Sequence, residues 1–337
     1  MNNFEAGDKF FYDWTQKIEN IKNEKDFFNL CLEALRFQYE RCEVFQRWCN
    51  LLNYKIESIT NYNEIPFLPI SFFKTHRVTC FDNLQEEDYF LSSGTGSLIR
   101  SKHLVYNKDF YLENTVSCFS QFFSDLEDYS FICLLPNYIE QGHSSLICMT
   151  DYFIRKSKHK TSGFYSHDLQ SVIAALEYNK EHNIKTILFG VTYALLDLAE
   201  NYETNLKDTV IFETGGMKGR RKEMTKEEVH KILKKRLNVQ NIASEYGMCE
   251  LFSQAYSRGG GVFKTPKQMK TIIKEVNDYR HSLPQKRTGV INIIDLANIS
   301  TCCFIQTQDL GKKTEDGDFE IMGRLDYSDI RGCNLMY

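Results

Sequence analysis

Two rhythms of apolar positions run along the chain. Over residues 8–60 they recur at helical spacing, first Phe27, Phe28, Cys31 and Leu35, then Tyr39, Cys42 and Phe45, with charged residues between them. That spacing predicts two or three helices. Ile65-Pro66-Phe67-Leu68-Pro69-Ile70 is extended by its prolines and marks the join to the larger remainder of the chain. Beyond it, strand-like runs at 89–91, 130–135, 186–189, 209–213 and 241–244 alternate with helical stretches at 110–123, 169–180, 193–201 and 226–237. Parallel neighbours need a crossover long enough to hold a helix, so this alternation predicts a mostly parallel sheet covered by helices. The last runs, 290–294, 301–307 and 318–322, succeed one another across Asp/Gly turns and predict a locally antiparallel C-terminal part. The expected class is α/β, with a helical N-terminal segment at 1–65.

Composition narrows the classes of function. Of 337 residues, 42% are hydrophobic and 14% aromatic, enough to bury a large core as one big domain or two modest ones. No internal repeat or low-complexity linker interrupts the chain, and one compact unit with subdomains is expected. Lys and Arg number 41 against 45 Asp and Glu, a net charge of −4, which leaves no electrostatic footprint for nucleic acid or an anionic membrane. The longest apolar stretches, such as 132–135 and 291–294, fall far short of the roughly 20 residues that span a bilayer. The start, MNNFEAGDKFFYDW, lacks the basic and apolar regions of a signal peptide, so a cytoplasmic protein is expected. Eleven cysteines without a CxxC pair, and eight dispersed histidines without HExxH, fit neither a disulfide framework nor a zinc site.

Four segments carry candidate chemistry. Ser92-Ser93-Gly94-Thr95-Gly96-Ser97 comes after a strand and precedes Arg100, Ser101 and Lys102; its hydroxyls and glycines suit an anion, although no Walker GK[ST] is present. Glu213-Thr214-Gly215-Gly216 ends a strand, where paired glycines let a flat ligand approach the backbone. Tyr246-Gly247-Met248-Cys249-Glu250 offers a ring face for a base and a hard carboxylate for magnesium. Thr307-Gln308-Asp309 and Gly323-Arg324-Leu325-Asp326 offer an Asp for ribose hydroxyls and an Arg that can return across the same turn. Each is also an ordinary turn. Gln141-Gly142-His143-Ser144-Ser145 places Ser beside His, but the GxSxG elbow of a serine hydrolase is absent.

In this order and spacing the set resembles the adenylate-forming, acyl-CoA synthetase-like superfamily. Within it SSGTGS, LPNYIEQGHSSL, ILFGVTYALLDL, ETGGMKGRRKE, EYGMCELFSQAY and GRLDYSDIRGC closely resemble the acyl-protein synthetases (long-chain-fatty-acid–luciferin-component ligases) over roughly 66–335. These are the fatty-acid-activating component of the bacterial luminescence reductase complex. The resemblance implies an adenylate-forming core at 66–323 and a tail at 324–337. It implies ATP and Mg²⁺ as cofactors, with Ser92 to Ser97 on the phosphates, Gly215, Gly216, Tyr246 and Gly247 at the adenine, Asp309 and Arg324 on the ribose, and Glu250 on the metal. A carboxylic acid, expected to be fatty, would become an acyl-adenylate and then pass to Cys333, which matches the family's acyl-accepting cysteine.

Two departures accompany the resemblance. The wider superfamily continues beyond GRxD into a small mobile domain with a catalytic lysine, whereas this sequence ends at Tyr337, so that domain is expected to be absent or minimal. The phosphate loop lacks the usual lysine, for which Arg100 and Lys102 can substitute. Lys102 and Arg324 are thus the candidate catalytic cations beside Cys333. Coenzyme A as acceptor, or a non-catalytic nucleotide-binding subunit docked on an acyl-reductase or carrier protein, are the competing readings. Of the 25 Phe and 19 Tyr some can line a long-chain tunnel or an aryl pocket, but most are expected to be core.

Overall fold

The computed structural model describes residues 3–82, 85–92, 99–135, 142–166, 168–202, 204–215 and 224–325. Its helices are α1 (Asn3–Glu19), α2 (Glu24–Arg41), α3 (Glu43–Leu51), α4 (Phe72–Thr75), α5 (Lys108–Ser120), α6 (Ser145–Lys156), α7 (Leu169–Glu181), α8 (Thr192–Asn201) and α9 (Lys226–Leu237). The strands are β1 (Leu68–Pro69), β2 (Asp88–Leu91), β3 (Lys102–Val105), β4 (Tyr129–Leu134), β5 (Gly163–Phe164), β6 (Lys185–Val191), β7 (Thr209–Thr214), β8 (Ile242–Tyr246), β9 (Ala255–Ser257), β10 (Val262–Phe263), β11 (Met269–Lys274), β12 (Gly289–Asp295), β13 (Phe304–Lys313) and β14 (Phe319–Arg324). They form two compact units, one from Met1–Thr15 and Asn83–Pro266, the other from Gln16–Asp82 and Lys267–Tyr337.

In the first unit the sheet runs β5-β4-β6-β7-β8-β9, parallel from β5 to β8 with β9 antiparallel at the edge. Phe131, Ile132, Ile187, Leu188, Ile211 and Phe212 are buried on both faces, because α5 to α9 cover a sheet whose inner strands have no polar side. Local signals bound the helices. Thr225 and Glu228 close a reciprocal capping box at the start of α9, and Asn238, left-handed at φ 52°, stops it after Lys234, Lys235 and Arg236. Asp168 caps α7 and Ser144 caps α6. Because the central strands are parallel, the ends of β4, β6, β7 and β8 share one edge of the sheet. A separate hairpin, β2 with β3, carries the hydroxyl and glycine loop.

The second unit is built on the antiparallel order β14-β13-β12-β11, with β1 parallel to β13 through Leu68 and Ile305. Gln38, fully buried on α2, donates to the carbonyls of Asn298 (3.0 Å) and Ile299 (3.2 Å) and accepts from the Cys303 amide (2.8 Å). Lys274 is also buried; its ammonium donates to the carbonyls of Asn63 and Ile65, both at 3.2 Å, and lies 4.9 Å over the Phe67 ring. Burial pulls its pKa down to about 8. The ten described cysteines are buried free thiols. No helix among the described residues is long and apolar enough to cross a membrane.

Candidate active site

The first unit gathers three of the four candidate segments. The Ser92 hydroxyl accepts from the Ser101 amide at 3.0 Å while the Ser92 amide donates to the Ser101 carbonyl at 3.1 Å, closing the neck of the phosphate-loop candidate. Ser93, Gly94, Thr95, Gly96 and Ser97 lie outside the described residues. Lys102 opens β3, exposed, with its ammonium 4.3 Å from the Tyr89 ring centroid. His143 stacks on the same ring at 3.9 Å and 15°. Asp88 joins them, 3.3 Å from His143 Nδ1 and 2.7 Å from Lys108 Nζ. Burial opposes its ionised form, but the Lys108 ammonium and the Tyr89 amide outweigh that and hold the carboxyl below its usual range. Ser144, beside His143, accepts from the Ile147 amide as the cap of α6, a helix-capping role.

At the ends of β7 and β8 stand two carboxyls with opposite tendencies. Glu213 is buried; burial works against its charge, yet His230 Nε2 at 3.7 Å, Lys226 Nζ at 3.9 Å and the Thr192 hydroxyl hold it below the usual carboxylate range. Glu245 is partly exposed but deeply surrounded, and burial pushes its pKa up to about 7 against weaker pulls from Thr214 and Lys226. Thr214 Oγ1 donates to Glu245 Oε2 at 3.4 Å, linking the end of β7 to the end of β8. Gly215 comes next after Thr214, at φ 70°, a conformation glycine adopts without penalty. Gly216 lies outside the described residues. A β-carbon on Gly247 would collide with the Glu245 carboxyl. The Tyr246 ring is 7% exposed and meets Phe263 edge-on at 5.9 Å.

Glu250 lies on the same segment, 5% exposed. Among the described residues no group of three or more His, Cys, Asp or Glu converges to hold a metal. A lone carboxylate completed by substrate phosphates is nevertheless an ordinary magnesium arrangement, and Glu250 fits it. This segment is tied to the loop's neck: His103 Nδ1 lies 2.7 Å from the Cys249 carbonyl, and Cys249 Sγ lies 4.0 Å from the Ser101 carbonyl.

The fourth candidate segment belongs to the second unit, where Asp309 and Arg324 are cross-strand partners on β13 and β14. The Asp309 amide donates to Thr307 Oγ1 at 3.1 Å and Arg324 Nη2 to Gln308 Oε1 at 3.4 Å. Cys333 lies outside the described residues. Sequence reasoning gave no role to Asp88, His103, Thr192, Glu213, His230 or Glu245. The available signal was a glutamate flanking each glycine turn, in ETGG and in EYG.

No family model matches the chain. A stretch of 88 residues, 26% of this chain and 67% of the relative, is 33% identical to the long-chain-fatty-acid–luciferin-component ligase of Photorhabdus luminescens. Among solved structures, 2-hydroxyisobutyryl-CoA ligase in complex with 2-HIB-AMP and CoA matches with a TM-score of 0.64 at 12% identity, over 90% of this chain and 68% of that one. ATP-bound MatB from Rhodopseudomonas palustris matches with a TM-score of 0.55 at 13% identity, over 72% of this chain and 49% of that one. The chain thus spans about half the length of that MatB structure. Identity this low speaks for the fold, which is the α/β fold of adenylate-forming ligases. Together with the sequence match it establishes that the chain belongs to the long-chain-fatty-acid–luciferin-component ligases, the acyl-protein synthetase family of that superfamily.

Proposed function

We propose that the protein activates a carboxylic acid, of fatty type, with ATP and carries the acyl group on Cys333 as a thioester for delivery to a reductase or another acceptor. One observation supports this above the others. The neck of the hydroxyl loop, the end of β7, the end of β8 and the segment after β8 are joined by hydrogen bonds through Ser92, Ser101, Cys249, Glu245 and Thr214. They lie beside the carboxyl edge of the parallel strands, the place where open α/β sheets take ligands.

In the first step a carboxylate oxygen bonds to the α-phosphorus while the bond to pyrophosphate breaks. In the second the Cys333 thiolate attacks the acyl carbon, AMP leaves, and the proton released by the thiol goes to solvent. Ser92 to Ser97 would cradle the phosphates, with Lys102 and Arg324 countering the charge that builds on them. Gly215, Gly216, Tyr246 and Gly247 would receive the adenine, and Asp309 with Arg324 the ribose. Glu250 would hold Mg²⁺, which neutralises phosphate charge when bound.

The test is incubation of the protein with ATP, Mg²⁺ and a panel of fatty and aryl acids, recording pyrophosphate release and intact mass before and after hydroxylamine. Acid-dependent pyrophosphate together with a hydroxylamine-labile adduct, lost in Cys333→Ser, is the expected result. Pyrophosphate release that needs coenzyme A and survives Cys333→Ser would replace the thioester step by a free acceptor. ATP binding without pyrophosphate release would reduce the protein to a nucleotide-binding subunit.

A further inference from the structure

We propose that His103 is a positioning residue, which fixes the peptide unit from which Glu250 departs and so sets the metal carboxylate relative to the described neck, Ser92 and Ser101, of the phosphate-loop candidate. The proposal rests on the assignment of Glu250 to the metal.

Lys102 and His103 open β3 directly after the neck of the loop, and they point to opposite faces. Lys102 is exposed, while His103 has no exposed surface at all. A carbonyl oxygen can only accept, so the 2.7 Å contact is a donation from His103 Nδ1–H to the oxygen of Cys249. That oxygen belongs to the planar peptide joining Cys249 to Glu250, so holding it fixes the plane on which the Glu250 backbone begins. The same peptide lies inside a tight turn in which the Leu251 amide returns to the Met248 carbonyl at 3.1 Å. Phe252 holds the imidazole in place, with its ring centroid 4.7 Å away and tilted by 34°.

The choice of histidine here has a cost that simple space-filling does not explain. An imidazole loses its hydration when buried, whereas a leucine or phenylalanine would fill the same space with a hydrophobic gain. Burial keeps the ring neutral, with its pKa lowered to about 4, and the carbonyl partner selects the Nδ1–H tautomer. The result is an uncharged donor of fixed direction on the strand that closes the phosphate loop. The contact between Cys249 Sγ and the Ser101 carbonyl adds a second, weaker tie between the same two segments. A cation at Glu250 would therefore be held at a set separation from the neck formed by Ser92 and Ser101.

The variants that separate this role from space-filling are His103→Phe, which keeps a buried aromatic ring, somewhat larger, and loses the donor, and His103→Asn, which keeps a short donor. Each is measured in two ways: the Mg²⁺ concentration giving half-maximal acid-dependent ATP–pyrophosphate exchange, and deuterium uptake by peptides covering 246–252. H103F is expected to raise the Mg²⁺ requirement and to speed amide exchange in the turn, each by about tenfold, the worth of one buried hydrogen bond. It should leave the KM for the acid unchanged, and H103N should bring both readings back to within about threefold of wild type. Should H103F not fold, H103Q takes its place, since its longer side chain misplaces the amide and predicts the same two shifts. Wild-type values for both readings in H103F or H103Q would overturn the proposal, as would an equal rise in the requirements for Mg²⁺, ATP and acid, or failure of H103N to rescue. If the wild-type protein shows no exchange with any acid, the adenylation reading fails on its own account and deuterium uptake decides alone. Faster uptake restored by H103N then upholds the positioning role, and unchanged uptake overturns it.

Discussion

The carboxyl of Glu245 occupies the space that a β-carbon at position 247 would need, so Gly247 is a glycine for the sake of its neighbour. The same carboxyl accepts from Thr214, which makes it a clasp between the ends of two adjacent strands. Gly247→Ala must therefore push the carboxyl aside and break that hydrogen bond. We expect a loss of about 1–2 kcal/mol in stability, with a higher KM for ATP and little change in the KM for the acid. Urea denaturation and steady-state kinetics check both, and an alanine variant with wild-type stability and KM would refute the clasp.

Glu245 also predicts a pH dependence. Its folded pKa, about 7, lies above the ordinary carboxyl value, so across the interval between them the folded state holds a proton that the unfolded chain has lost. Stability contributed by this group is complete at acid pH and falls as pH rises towards 7, after which it is flat. Glu245→Gln should remove that slope, so that the variant gains on wild type between pH 5 and pH 8. Parallel curves from denaturant melts across that range would show that Glu245 titrates normally.

Lys274 predicts the opposite sign. Its pKa falls to about 8 on burial, so above that value the folded state sheds a proton that the unfolded chain still binds, and this group's contribution rises with pH through roughly 8 to 10. Its ammonium satisfies the carbonyls of Asn63 and Ile65. Lys274→Met keeps the aliphatic stem and leaves both carbonyls without it, for an expected loss of about 1–3 kcal/mol at pH 7. The size of that deficit should change between pH 7 and pH 9.5, and chemical denaturation of both proteins at the two pH values measures it; an unchanged deficit would show that Lys274 titrates normally.

A local test concerns α9, the helix that carries His230 and Lys226 to Glu213. Thr225→Ala removes the hydroxyl that accepts from the Glu228 amide at 3.2 Å and should cost about 1 kcal/mol. If Thr225→Ser restores the loss, the capping box is the cause.

How legible each element was in the sequence depends on how cleanly its polar and apolar positions separate. Helix α9 was read to the residue, because charged positions interrupt Val229, Leu233 and Leu237 at regular spacing and Thr225 announces its start. Helix α6 escaped because its start lies in the segment singled out for placing Ser beside His, where Ser144 instead caps the helix. Strands β3 and β11 escaped for a different reason: each buries consecutive residues on both faces, and β3 is only four residues long. The middle of the three antiparallel runs was expected to begin at 301, but β13 starts at Phe304, after the turn that Gln38 holds in place.

The order of the candidate segments was readable because three of them come at strand ends with glycines, whereas Thr307, Gln308 and Asp309, expected at a turn, lie inside β13. The groups that tie those segments together were not. Glu213 and Glu245 look like surface charges beside turns, and His103 looks like one more polar residue after a loop. Only the fold brings them to their partners: Glu245 to Thr214 across β7 and β8, Glu213 to Thr192 on α8 and His230 on α9, and His103 to the segment after β8.

The second unit draws on two stretches of chain, and this bears on the order in which the protein can fold during its synthesis. Gln38 cannot meet Asn298 or Cys303 until 260 to 265 further residues have been made. At ribosomal speed that is on the order of ten to fifty seconds. Throughout that interval the apolar side of α2, with Phe27, Leu30 and Cys31, lacks the strands it will eventually bury against, while 83–266 can close from contiguous chain. The nascent α2 is accordingly the segment most dependent on a holding chaperone, and slower translation past position 83 would lengthen its exposure.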